Sequence, residues 1–344
     1  MLAMKTLLTL DYELFFGPRT GTAGTCLIDA TNRLLETLKP FDARAVFFVD
    51  ATYLVRLRHY AQTHAQAAKD YAAVVRQIRQ LESDGHQIQL HIHPHWMDST
   101  YDGQAWHLDT RRYRLGDWSR EETEKIIADC TAELNRHLKH KVFVFRAGGW
   151  CVQPWMHIGK FLQDNGITVD CTVYSGGQSL HAPHLFDFSS SPSLGSWKFE
   201  SEPCRLVRNG AFTEMPISSM RVSPVFFWRF ALNRLFGDLS EHHPFGDGCA
   251  MPNGRKELLR KLTRYSKIPV SVDGFKSSLL CDAYLRALSH GKTHFVAMGH
   301  PKALSEYSLG NLRQWLTEVY SRDERLAVFD RPVKVEAPAV AEAV

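Results

Sequence analysis

Paired cysteines are missing from this sequence. The seven present (26, 130, 151, 171, 204, 249 and 281) are an odd number with no CxxC pair. That fits reduced, mostly buried thiols better than a disulfide framework. Long apolar runs are missing too. No segment reaches the roughly 18 uninterrupted apolar residues that a spanning helix needs. The N-terminal MLAMKTLLTLDYELFF starts like a secretion signal, but Asp11 and Glu13 interrupt it and no small-residue cleavage site follows. The expected location is therefore the cytoplasm. Charge of one sign is scarce: the net charge is +4 over 344 residues, and no Lys/Arg cluster stands out. A nucleic-acid partner wants a concentrated basic face, so none is expected.

What is present is a large core. The chain is 44% hydrophobic and 23% charged, which excludes global disorder and allows one large α/β domain. Apolar runs at 5–11, 43–50, 86–92, 141–147, 167–173, 211–218 and 293–300 read as seven strands. Between them, helical stripes run through Leu27, Ile28, Leu34, Leu35 and Leu38, and through Val74, Val75, Ile78 and Leu81. The second stripe stops at Gly85. Ser119 and Glu122 make a capping box ahead of Ile126, and a shorter helix around 154–164 ends at Asn165-Gly166. Strands alternating with helices imply parallel pairing and right-handed crossovers, hence a barrel or a doubly wound sheet. A single domain over 1–330 is expected, with an insertion around 189–265 and a loose tail at 331–344.

The reactive residues fall at the ends of these runs. Asp11 ends the first, QLHIHPHW at 89–96 ends the third, Arg146 ends the fourth, Asp170 lies in the fifth and His300 ends the last. Parallel α/β folds build their sites at the C-terminal edge of the strands, so these groups converge if the sheet curls. His91 and His95 are four apart, with Pro94 forcing a turn between them. Two imidazoles on one turn make half a metal site; a carboxylate from another strand, Asp11 or Glu13, completes it. His93 is a substrate contact or a supporting group. Arg146 needs an acidic partner if buried, and the Gly148-Gly149 pair after it lets backbone approach a ligand closely.

The order LTLDYE, GHQIQLHIHPH, FRAGGW, ITVDCTV and VAMGHP resembles the NodB-type polysaccharide deacetylases, carbohydrate esterase family 4 and its relatives. The resemblance implies a distorted seven-stranded (β/α) barrel and a divalent ion, most often zinc. It implies Asp11 as general base, His91 and His95 as metal ligands, Arg146 orienting the base and His300 as general acid. The chain departs from the pattern at Tyr12, where the family has its metal-binding aspartate, which makes Glu13 the nearest substitute. It departs again at Ala147-Gly148-Gly149-Trp150, where the family continues to proline and an aromatic residue. Substrate contacts are expected from His93, Trp96, Gly148, Trp150 and Asp170.

Removal of an N-acetyl group from an amino sugar is the expected reaction. Hydrolysis of a small cyclic or linear amide and a non-catalytic metal-binding sugar module are the alternatives. With no export signal, a nucleotide-linked or lipid-linked sugar is the expected substrate. The segment SPVFFWRFALNRLFGD (223–238) is apolar apart from a narrow polar stripe with two arginines. It reads either as a lid packed over the barrel or as an interfacial helix lying on a membrane.

Overall fold

Seven parallel strands curl into an incomplete barrel in the computed structural model, which describes residues 4–331 apart from 182, 238, 252 and 253. They are β1 (Lys5–Tyr12), β2 (Val46–Asp50), β3 (Gln87–Ile92), β4 (Val144–Ala147), β5 (Val169–Asp170), β7 (Phe212–Glu214) and β10 (His294–Gly299). Each overlaps one of the runs read as a strand, β1 extending one residue past its run to Tyr12. A further strand, β6 (Trp197–Phe199), adds antiparallel to β7, giving the sheet order β6-β7-β5-β4-β3-β2-β1-β10. Strands β1 and β2 are buried almost throughout, as expected of parallel strands covered on both faces.

The segment after β7 joins β10 by a thin seam. Ser218 donates its N–H to the Val296 carbonyl at 2.9 Å, and the stretch after β9 (Ser266–Pro269) pairs with β10 through Val272 and Met298. Strand β9 and β8 (Ser219–Val222) form a separate antiparallel ribbon. Residues 189–265 contain the strand β6, the barrel strand β7, the ribbon strand β8 and two helices, α6 (Pro224–Phe236) and α7 (Arg255–Thr263).

The remaining helices are α1 (Ala30–Leu38), α2 (Ala51–Tyr60), α3 (Ala65–Ser83), α4 (Arg120–Asn135), α5 (Trp155–Asp164), α8 (Leu280–Ser289) and α9 (Glu306–Tyr320). Their ends follow the local chemistry. Gly85 adopts φ 86° just past α3, and Gly166 adopts φ 82° just past α5. Ser119 and Glu122 cap α4 reciprocally. The expected tail from 332 onward lies outside the described residues.

Register places the chemistry. Asp11 stands opposite Phe48, Asp50 opposite His91, and His91 opposite Arg146; Leu10 pairs with Gly299, the residue before His300. His91 and Arg146 thus share one rung, and Asp11 with the neighbouring His300 stands two residues back along the sheet, all at its C-terminal edge.

Candidate active site

Alternation along β1 sorts three neighbouring side chains. Asp11 and Glu13 face one cavity, while Tyr12 points the other way and donates its hydroxyl to Gln77 Oε1 at 2.8 Å. Position 12 is thus a core tyrosine, and Glu13 supplies the second carboxylate of the cavity.

Arg146 is buried and fully engaged. Its Nη1 donates to Asp11 Oδ1 at 2.6 Å, Nη2 to Thr9 Oγ1 at 2.9 Å and Nε to the Cys171 carbonyl at 2.8 Å. A buried arginine without such partners would be costly. The pair fixes one oxygen of Asp11 and leaves the other, Oδ2, 3.7 Å from His300 Nε2 and 4.0 Å from His91 Nε2.

The histidine turn divides its three rings. His91 Nδ1 donates to the Arg146 carbonyl at 2.7 Å, which aims Nε2 at Glu13 Oε2, 3.0 Å away. His93 Nε2 lies 2.8 Å from the same oxygen. Glu13, His91 and His93 present ligand atoms within 4.8 Å of one another, a group that could hold a metal ion. The donor set of one carboxylate and imidazole nitrogens fits a zinc-like ion, and the Nδ1 anchor of His91 is the usual outer support for such a ligand.

Burial works against a charge on His91, but the Asp11 charge and the Glu13 hydrogen bond outweigh it and push its pKa up to about 9. Glu13 shows the converse. Burial opposes its charge, yet Lys302 and His93 hold the carboxyl well below the usual range.

His95 stands apart from this group. It is buried, stacked on Tyr113 at 5.1 Å and 9°, and both its ring nitrogens lack a hydrogen-bond partner. Burial pushes it well below the usual histidine range, so it is neutral, as a ligand must be. Two unengaged nitrogens in one buried ring are rare unless something else meets them.

His300 Nδ1 pairs with Asp273 Oδ2 at 2.7 Å, and its Nε2 faces Asp11 and Glu13. Asp273 and Lys302 were missed in the sequence. Lys302, buried, donates to Glu13 Oε1 at 2.8 Å. The acid that ends the run PVSVD at 269–273 mirrors the acid ending TLLTLD, a signal that could have found Asp273. Nothing marked Lys302, because its reach to Glu13 depends on the single turn that follows His300.

These groups line a cavity of about 230 Å³ with Phe16, Tyr113, Trp150 and His184 on its walls. Trp150 reaches it from a left-handed backbone, φ 62°, directly after Gly149 at φ 59°. Such geometry on a bulky residue costs on the order of 1–3 kcal/mol and tends to mark functional sites.

Three of the expected substrate contacts do not line the cavity. Trp96 is buried and donates Nε1 to Asp50 Oδ2 at 2.7 Å, where it stiffens the turn instead. Asp170 is buried beside Glu214 and accepts from the Thr172 hydroxyl at 2.7 Å. Burial first, then the Asp170 charge, pushes Glu214 well above the usual carboxylate range. Thr172 in turn accepts from the Ala147 N–H, so the network supports the strand behind the site. Gly148 makes room for a side chain: a Cβ there would sit 2.5 Å from His93 Nδ1. Gly148→Ala is therefore expected to cost about 1–3 kcal/mol, the usual penalty for overpacking, and to displace His93. An unchanged melting temperature would show that the ring has room to move.

Residues 20–152, which contain the histidine turn and Arg146, match the polysaccharide deacetylase family. That match indicates a hydrolase acting on amide bonds of acetylated sugars. No curated protein matches the sequence. Among solved structures, a candidate polysaccharide deacetylase from Mycobacterium smegmatis is 15% identical with a TM-score of 0.48, over 96% of this chain and 95% of that one. A family 4 carbohydrate esterase from Streptomyces lividans, solved with acetate, is 12% identical with a TM-score of 0.40, over 96% and 95%. A family 4 pseudoenzyme from Bacillus anthracis is 10% identical with a TM-score of 0.40, over 94% of this chain and 62% of that one.

Proposed function

We propose that this protein removes an N-acetyl group from an amino sugar of a polysaccharide or of its biosynthetic intermediate, carried on a nucleotide or a lipid. One observation carries the reading: an oriented carboxylate, a carboxylate–imidazole group and a carboxylate-paired histidine surround one small cavity.

A divalent ion, zinc by the donor set, would be held by Glu13 and His91 with the imidazoles of His93 and His95. When bound, such an ion polarises the amide carbonyl and lowers the pKa of bound water to ~7. Asp11 is the general base. Arg146 holds its Oδ1, so Oδ2 alone faces the cavity and takes the proton of the attacking water. His300 is the general acid. Asp273 anchors Nδ1 and aims Nε2 into the cavity, where it protonates the departing amine. Trp150 stands on the cavity wall where the sugar would stack, and His93 serves both ion and substrate side.

Metal content after dialysis, measured beside deacetylation of N-acetylhexosamine oligomers, tests this. His91→Ala is expected to lose the ion and activity together. His93→Ala and His95→Ala are each expected to weaken retention. Full ion content in the His91→Ala, His95→Ala double variant would overturn the ligand set. An intact ion with no turnover on any acetylated sugar points to a binding module, and turnover only on small amides points to an amidase.

A further inference from the structure

Fourteen large hydrophobic side chains are exposed among the described residues, and nine of them lie between 225 and 265. On α6 they include Trp228, Leu235 and Phe236, the last two 72% and 83% exposed; on α7 they include Leu258 and Leu259. Helix α6 has no buried residue at all, so it is not a lid packed over the barrel. It is nonetheless anchored. The rings of Phe226 and Phe230 lie 5.4 and 5.3 Å from Phe275, and Trp228 Nε1 donates to the Leu262 carbonyl of the α7 end at 3.0 Å.

The same segment holds the charge that seemed dispersed in the sequence. Residues 221–267 carry nine Lys/Arg against four Asp/Glu, an excess larger than the +4 of the entire chain. Along the chain these cations alternate with apolar residues, Arg229 and Arg234 among Trp228, Leu232 and Leu235 on α6. Nucleic acid would leave those aromatic and leucine side chains in water, whereas an anionic bilayer takes both at once. A second copy of this chain would bring like charge against like charge.

Position links the patch to the cavity. Phe275 follows Asp273, the partner of His300, by two residues and stacks on Tyr307 of α9. The chain between α6 and α7 returns to the site: Gly246 donates to the Lys302 carbonyl at 2.9 Å, and Ala250 and Met251 line the cavity.

We infer that α6 and α7 form an interfacial element that docks the protein on anionic lipid, beside the mouth of the catalytic cavity. The lipid-linked substrate this implies rests on the deacetylase reading; the docking itself does not. The test is co-sedimentation of the full chain with phosphatidylcholine vesicles, with and without phosphatidylglycerol, at low and high salt. Binding is expected only to the anionic vesicles and is expected to weaken with salt. Leu235→Glu with Phe236→Glu, both at exposed positions, is expected to reduce the bound fraction at least tenfold. Ion content and turnover of a soluble N-acetylated oligosaccharide should remain unchanged in that variant, so loss of docking is distinguishable from failure of the deacetylase reading. No sedimentation with anionic vesicles at low salt would overturn the inference. So would binding that survives the double substitution, equal binding to a DNA duplex, or a dimer in analytical ultracentrifugation that the substitution dissolves.

Discussion

Asp11→Asn is expected to lower kcat/KM by about 10²–10⁴, the usual loss on removing a general base, while the ion stays bound. The substitution is nearly isosteric. The amide oxygen can still accept from Arg146 Nη1, now 2.6 Å from Asp11 Oδ1, but the group facing the cavity can no longer take a proton. The charge it removes also leaves Arg146 buried without its counter-ion, and breaking a buried pair outright costs roughly 3–5 kcal/mol. Turnover is therefore compared well below the melting temperature of the variant, with melting and ion content recorded on the same sample. Retained ion beside lost turnover assigns Asp11 to proton transfer and Glu13 to the ion. Ion loss in Asp11→Asn with retention in Glu13→Gln would reverse that assignment. Near-normal turnover would remove Asp11 from the mechanism.

His300→Ala is expected to cost a comparable ~10²–10⁴. The companion substitution Asp273→Asn separates a proton donor from a structural histidine. Burial disfavours the charged imidazole, but Asp273, 2.7 Å from Nδ1, together with Glu13 and Asp11, raises its pKa above the ordinary 6.5. A donor must be protonated, so activity is fully supported below the ordinary value and falls as pH rises through the raised one. Removing the Asp273 charge should move that alkaline limb to lower pH and leave the rate at the acid side of the profile far less affected. The pH profile of kcat checks this. A limb that does not move would mean that another group supplies the proton.

The strands and the level of the chemistry were legible along the chain because both are local. A run such as LLTLD is buried on two faces and must be a strand, and a parallel sheet carries reactive groups at its ends whatever the details between. The alternation that points Asp11 and Glu13 one way and Tyr12 the other is a property of extended backbone alone. Pairings across the fold were not legible. Lys302 reaching Glu13 and Asp273 meeting His300 require β10 to lie beside β1 and the seam strand to lie beside β10, contacts decided only when the sheet curls.

The role of Gly148 changed for the same reason. Two glycines after an arginine suggested room for a ligand, but the space is taken by His93, a ring 55 positions earlier in the chain. The sequence alone determined which residues could do chemistry, because residue type and strand end are one-dimensional facts. Which imidazole of the histidine turn faces Glu13, and whether the helix at 224–236 is covered, were decided by tertiary packing. Both depend on what stands across the cavity or across the surface, and no local pattern encodes that.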